Sequence, residues 1–275
     1  MMMKDIQPGI YPDLKIDEYH DGPGISNSGV KMILDCPKKY HHHYILKNKD
    51  KTKSKALIEG NQFHTYVLER DKFYQQYFVT EKIARRGEKW REVVEMAEGK
   101  EVIFRDRKEQ IYLMEKSLMS FPRASSLLSG GIAEASIFWT DPDTGVLCKS
   151  RPDYLNVNNK FITDLKTTED ASYNGFARSI GKYNYHVQAA MMIDGFKAAT
   201  GENIEGVFNF AIEKSAPYCC AVYLINEKAI EIGRKTYKRA LKIFSDNLMT
   251  GNWSSYSSDI EEIHLPHWFN NEEEE

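Results

Sequence analysis

The spacing of apolar positions along this chain changes several times, and each change predicts an element. Residues 1–24 are punctuated by prolines and glycines and read as extended. Ser26-Asn27-Ser28 then offers helix caps before an apolar rhythm at Val30, Ile33 and Leu34. Pro37 can open a second helix carrying Tyr40, Tyr44 and Ile45. Residues 56–68 are predicted helical, with Leu57, Phe63, Val67 and Leu68 available for packing, and further helices run to about residue 128, where Gly130-Gly131 breaks the pattern. Strand-like sequence then takes over. Residues 133–140 read as a strand, Asp141-Pro142-Asp143-Thr144-Gly145 as a hairpin turn and 146–155 as a second strand. Asn156, Asn158 and Asn159 supply turn chemistry before a third strand over 161–166. After a cap at Asp170 come two helices, 173–180 and 185–199, and two strands, 207–212 and 221–225, with Pro217 in their turn. A long helix after Asn226 is apolar at Ile230, Gly233, Tyr237, Leu241, Phe244 and Leu248, steps of three and four that mark a core face.

The third strand is where the chemistry gathers. Period-two alternation puts Asp164 and Lys166 on one face and Leu165 on the other, and Asp153 ends the preceding strand near the same edge. Two carboxylates about 4 Å apart repel by about 4 kcal/mol at an effective dielectric near 20. A divalent cation between them reverses that sign, and oxygen ligands suit Mg²⁺ or Mn²⁺. An ordinary surface hairpin carrying an Asp–Lys ion pair fits the spacing equally well.

Composition changes the picture in three ways. At 275 residues the chain is long enough for one large core with insertions. Net charge is −3, so any hold on a polyanion has to come from local patches. Residues 38–55 hold seven lysines, among them Lys49, Lys51 and Lys53, against one aspartate. Residues 81–92 interleave Arg85, Arg86 and Lys89 with Trp90. Both runs read either as solvated faces or as backbone contacts. The four cysteines show no disulfide-framework spacing, and no apolar run approaches a membrane span, which predicts a cytoplasmic protein with no membrane partner.

Pro152-Asp153 followed by Asp164-Leu165-Lys166 resembles the PD-(D/E)XK nuclease signature. Lys149-Ser-Arg-Pro-Asp-Tyr154 and Thr163-Asp-Leu-Lys-Thr-Thr168 resemble one RecB-like branch in particular, the RecE-type or exonuclease VIII family of phages and prophages. Ser26-Asn-Ser28 with Cys36-Pro-Lys-Lys-Tyr40, Gly60-Asn-Gln-Phe-His64, Glu134-Ala-Ser136, Tyr185-His-Val-Gln188, Trp253 and Leu265-Pro-His-Trp268 are similar to further elements of that family. Two departures matter. Some relatives hold an iron–sulfur cluster through a cysteine like Cys36 and three later ones, but no cysteine follows Cys220. Relatives often carry tyrosine four residues after the glutamine, where this chain has Met192.

The resemblance implies an α/β (α+β) fold: a restriction-endonuclease-like mixed sheet flanked by helices, with an N-terminal helical elaboration. As a single domain over 1–275, the chain would divide into a mainly helical DNA-binding part over 1–130, a catalytic core over 131–270 and a disordered acidic tail over 271–275. Asp153, Asp164, the Leu165 carbonyl, His64 and Glu134 would surround Mg²⁺, or Mn²⁺. Lys166 would position the attacking water, and Gln188 would hydrogen-bond near the scissile bond. Lys49, Lys51, Lys53, Arg85, Arg86, Lys89 and Trp90 would contact DNA, and His41, His42 and His43 would form a polar face beside it. The implied activity is 5′-to-3′ digestion of one strand of linear duplex DNA with free ends in a bacterial host cell. A homo-oligomeric ring and a single-strand annealing protein would complete a phage-type recombination system. A RecB-like or Cas4-like nuclease of another repair or defence pathway would share the site, and product-end analysis separates it. A catalytically inactive DNA-binding assembly module is the remaining alternative, decided by a metal-dependent digestion assay.

Overall fold

The structure, a computed structural model, describes residues 6–48 and 54–266. Lys49, Lys51, Lys53, His267-Trp268 and the tail over 271–275 lie outside the described residues. The strands are β1 (Gly9–Tyr11), β2 (Tyr77–Thr80), β3 (Glu101–Phe104), β4 (Ile132–Ala133), β5 (Ser136–Thr140), β6 (Leu147–Ser150), β7 (Tyr154–Asn156), β8 (Phe161–Thr168), β9 (Gly206–Glu213) and β10 (Cys220–Leu224). The helices are α1 (Ile16–Asp21), α2 (Asn27–Asp35), α3 (Pro37–Tyr40), α4 (Lys55–Leu68), α5 (Arg70–Gln76), α6 (Glu88–Met96), α7 (Arg105–Met119), α8 (Ala124–Leu127), α9 (Tyr173–Tyr183), α10 (Tyr185–Thr200) and α11 (Glu227–Thr250).

The central sheet has five strands in the order β10-β9-β8-β7-β4. It is mixed, because β8 and β9 run parallel while the other pairs are antiparallel. Alternation along β8 and β9 decides what covers each face. Ile162 and Val207 join the core built by α2, α10 and α11, whereas Leu165, Phe210 and Ile212 join the one built by α4, α5 and α7. Helices therefore cover both faces, as expected, and Asp164 and Lys166, sharing the parity of Ile162, lie on the α10 side.

Helix α10 is held close by two glycines. A Cβ at Gly195 would stand 2.7 Å from the Trp139 ring on β5, and one at Gly233 of α11 would stand 2.3 Å from the His186 carbonyl oxygen. Real Cβ contacts do not reach those distances, so these crossings require glycine and seat Gln188 over β8. Ser26 caps α2 as predicted, accepting from the Gly29 N–H at 3.3 Å, Pro37 opens α3, and the long helix starts after Asn226, which accepts from the Ala229 N–H at 2.8 Å. The helix begun at α3 runs on through one π turn, His41–Ile45.

Several expectations need correction. Of the stretch 1–24, the described residues 6–24 do not stay extended throughout: β1 pairs with β5 and α1 follows, with α1 and the linker before it held by Lys149 and Arg151. The Lys149 ammonium donates to the carbonyls of Tyr19 and Gly22 at 2.6 and 2.7 Å, and Arg151 donates to that of Leu14 at 2.9 Å. The strand predicted over 133–140 breaks at Glu134, and that over 146–155 breaks at Arg151-Pro152-Asp153; in each case the chain passes between the central sheet and a second sheet, β1-β5-β6. The parallel pair β2–β3 sits inside the part expected to be helical. Each of these strands is four residues long, too short for period two to be told from 3.6. The helix after Asp170 is capped by Ser172, which accepts from the Gly175 N–H, while Asp170 braces the Ser172 N–H at 2.9 Å. Leu57 and Leu248, expected in the core, are exposed. Cys36 is buried beside Ser254, and His41 stacks on Trp253 at 5.0 Å. Among the described residues, no helix is long and apolar enough to cross a membrane.

Candidate active site

The two places where the chain changes sheets each deliver a carboxylate. Glu134 stands between β4 and β5 with φ at +54°, a backbone region non-glycine residues rarely occupy. Its N–H donates to the Asp153 carbonyl at 3.0 Å, and its carboxylate accepts from Arg151 Nε at 2.8 Å. Asp153 follows Pro152 at the gap between β6 and β7. There its Oδ2 accepts from the Leu165 N–H at 2.6 Å, so a side chain continues the hydrogen bonding of β8 just beyond the last β7–β8 pair. His64, on α4, places Nδ1 3.4 Å from Asp153 Oδ2.

One ligand atom each from His64, Glu134 and Asp153 lies within 4.8 Å of the other two. One imidazole nitrogen and two carboxylates are a donor set that Mg²⁺ or Mn²⁺ accepts, the nitrogen favouring Mn²⁺. The residues present therefore fit a divalent ion. Asp164 is next to this trio but otherwise engaged: one oxygen pairs with Lys166, and the other accepts from Gln188 Nε2 at 3.4 Å. Lys166 also donates to Gln188 Oε1 at 3.2 Å, and its ammonium sits 4.7 Å from the centroid of the Tyr185 ring.

Burial and mutual charge set the protonation of these groups. Burial pushes Asp153 up, but His64, Lys166 and the Leu165 N–H outweigh it, and the carboxyl ends well below its ordinary value. Burial pushes Asp164 up, the Asp153 charge adds to that, and Lys166 offsets only part, so its pKa is raised. Burial disfavours charged His64 and charged Lys166, yet the aspartates win at both and each holds its proton more tightly than usual. The cluster thus separates two buried carboxylates, one firmly ionised at the trio and one whose pKa is raised to about 6 beside a lysine.

The segment over 81–92 is built differently. Only Glu88–Met96 is helical. Arg85 is exposed but engaged within the chain: it donates to the Val102 carbonyl at 3.3 Å and lies 5.6 Å from the Trp90 ring and 5.1 Å from the Phe104 ring. Trp90 packs on the small core of Val93, Ala97 and Val102, whereas Arg86 and Lys89 are exposed.

Some residues near the site were missed. Lys31, on α2, is brought down to about 8, by burial first and then by the Lys166 charge. Asn209 is buried on β9 in register with Asp164, and its Oδ1 lacks a hydrogen-bond partner. Neither belongs to a motif; each is found only by parity along a strand or by which helix packs where. Met192 is buried in the α10 core and offers no hydroxyl.

The family described as "PDDEXK-like domain of unknown function (DUF3799)" matches residues 26–266. The chain belongs to this PDDEXK-like family. Its fold is similar to that of a crystal structure named "Putative exonuclease" from Eubacterium rectale, with a TM-score of 0.59, 15% identity and 88% of each chain covered. It is also similar to LHK-Exo, an alkaline exonuclease from Laribacter hongkongensis solved in complex with dAMP, with a TM-score of 0.32, 10% identity, and 83% of this chain and 92% of that one covered. No curated protein sequence matches. The PDDEXK-like assignment agrees with the mixed sheet and helical flanks expected from Asp153, Asp164 and Lys166, and it makes a nuclease the class of enzyme to test.

Proposed function

We propose that this PDDEXK-like protein is a divalent-metal-dependent exodeoxyribonuclease that hydrolyses one strand of linear duplex DNA. The observation that carries the reading is the meeting of His64, Glu134 and Asp153 beside the Asp164–Lys166–Gln188 group, whose Asp164 is buried. The trio would hold Mg²⁺ or Mn²⁺, with Asp164 and the Leu165 carbonyl at its edge. When bound, the ion supplies positive charge against the phosphoryl oxygens. Lys166 holds its proton, so it acts as a donor rather than a base: it orients the attacking water and steadies negative charge developing on phosphorus. Gln188 fixes the Lys166 ammonium from one side and the Tyr185 ring covers it from another, so the charge is aimed before substrate arrives. The water oxygen bonds to phosphorus and gives up one proton to solvent, the bond to the leaving oxygen breaks, and that oxygen takes a proton back from solvent, so that one water is consumed per bond cut.

The finer reading rests on resemblance to the RecE-type family: 5′-to-3′ polarity, a ring-shaped homo-oligomer, a single-strand annealing partner and a role in phage-type recombination. The test compares supercoiled and linearised forms of one plasmid with Mg²⁺, with Mn²⁺ and with chelator. Loss of the linear form alone, and only with metal, is expected. Equal loss of the closed circle would replace the exonuclease with an endonuclease.

A further inference from the structure

Tyr183 and Tyr185 stack, with ring centroids 5.7 Å apart and planes inclined by 29°. Residues two apart on a continuous helix point to nearly opposite sides and cannot do this. Asn184 between them, left-handed at φ 56° and ψ 41°, ends α9 and starts α10, and this elbow brings the two rings together. Tyr185 is the inner ring: it lies against Phe176 at 6.0 Å and above Lys166. Tyr183 is the outer ring, 46% exposed and part of none of the hydrophobic clusters. Lys182 places its ammonium 5.3 Å from the Tyr183 centroid. The result is an aromatic step with a flexible cation over its outer ring, rising from the lysine of the site to solvent.

We infer that the α9–α10 elbow is a base-stacking platform, on which Tyr183 receives an unpaired base of the DNA strand next to the scissile phosphate while Lys182 faces its backbone. The inference rests on the nuclease reading of the neighbouring site. A ring flanked by an ammonium suits a nucleobase joined to a phosphate. The base must be unpaired, because a base inside a duplex has its faces covered by its neighbours. A strand being digested offers such a base at its terminus.

The test uses the full chain in chelator, where binding is read without cleavage, and a six-nucleotide thymidine strand ending in 2-aminopurine. Wild type should quench the 2-aminopurine. Tyr183→Ala should bind this strand roughly tenfold more weakly and lose the quenching, as expected for one lost stacking ring. Tyr183→Phe should keep both, because the ring and not the hydroxyl is used. A matching strand with an abasic terminus should bind wild type and Tyr183→Ala alike. Tyr112→Ala, an exposed tyrosine on α7, is the control and should behave as wild type. Equal affinity and quenching in Tyr183→Ala and wild type overturns the platform, as does loss of both in Tyr183→Phe. If the platform fails while wild type still digests linear duplex with Mg²⁺, the nuclease reading stands alone. If wild type neither binds nor digests DNA, both fall.

Discussion

Two sets of charged residues stood out in this sequence, and in the folded protein they differ in what they face. At the site, His64, Glu134, Asp153, Asp164 and Lys166 come from α4, β8 and two strand breaks, and they face one another, with the two aspartates buried and the other three half-buried. Over 81–92 the charges are neighbours in sequence and Arg85, Arg86 and Lys89 all face solvent, Arg85 lying also against the Trp90 and Phe104 rings. Convergence under burial is costly and needs a compensating purpose, whereas an exposed cation costs almost nothing to keep. The first arrangement is therefore much better evidence of chemistry than the second.

The largest expected effect lies at the trio. Removing divalent metal should abolish digestion of linear duplex, and added Mn²⁺ should restore it at least as well as Mg²⁺ because one donor is an imidazole. Full turnover in excess chelator, read from the same gel time course, would break the contrast between the two regions. Next comes Lys166→Ala. It should lower kcat by about 10²–10³-fold with duplex affinity nearly intact, since the ammonium acts on charge that develops during reaction. Steady-state kinetics beside a binding titration checks this, and a wild-type kcat would reduce Lys166 to a structural cation.

Gln188→Ala should cost about 10–100-fold, because Gln188 positions Asp164 and Lys166 rather than meeting substrate itself. Gln188→Glu keeps the acceptor for Lys166 but sets a carboxylate against Asp164. It should therefore shift the pH profile of kcat, which a merely structural side chain would not do.

The two aspartates should also leave opposite marks on metal-free stability. The folded-state pKa of Asp153 is lowered, so its contribution is complete above the ordinary carboxylate value, about pH 4, and is lost as pH falls toward the lowered pKa. Asp164 is raised, so folding favours its proton, and stability declines as pH rises from about 4 through its raised pKa. Urea midpoints across the acid range should lose the first slope in Asp153→Asn and the second in Asp164→Asn. Unchanged slopes in both variants would mean that neither carboxyl is perturbed by folding.

The smallest effect should come from the exposed cations. Arg86→Ala and Lys89→Ala should each flatten the log–log salt dependence of duplex binding by about 0.9 if they meet phosphates, without moving the urea midpoint. Arg85→Ala should do the reverse, because its contacts are internal. A salt slope that responds to Arg85 alone would invert the distinction drawn between the two regions.

Much of this was legible in local pattern. Alternation put Asp164 and Lys166 opposite Leu165; Ser26, Pro37 and Asn226 marked helix starts; and three- and four-residue steps marked the core face of α11. Signals of this kind depend only on backbone geometry and nearest neighbours, so they survive in the bare sequence. The motif around Asp153 was legible by resemblance, but the reason it works was not. Strand patterning ran through Glu134 and through Arg151-Pro152-Asp153, because apolar residues flank both breaks and nothing local says that the chain leaves one sheet for another there. That the Val102 carbonyl and the Phe104 ring lie against the Arg85 guanidinium was not legible, because no local signal brings β3 to that segment.

By itself, then, the sequence determined the alternation of β8, the helical faces and the presence of one lysine and several acids with nuclease-like spacing. Only the tertiary structure decided that His64, from a helix ninety residues earlier by rough count, would stand 3.4 Å from Asp153, and that Asp164 would be occupied by Lys166 and Gln188. It also decided that an elbow at Asn184 would set Tyr183 beside the site. The physical reason is that facing within an element follows from a fixed repeat of two or 3.6 residues. Which elements meet follows instead from close packing, here at Gly195 and Gly233, where a single added carbon would push α10 and its Gln188 away from β8.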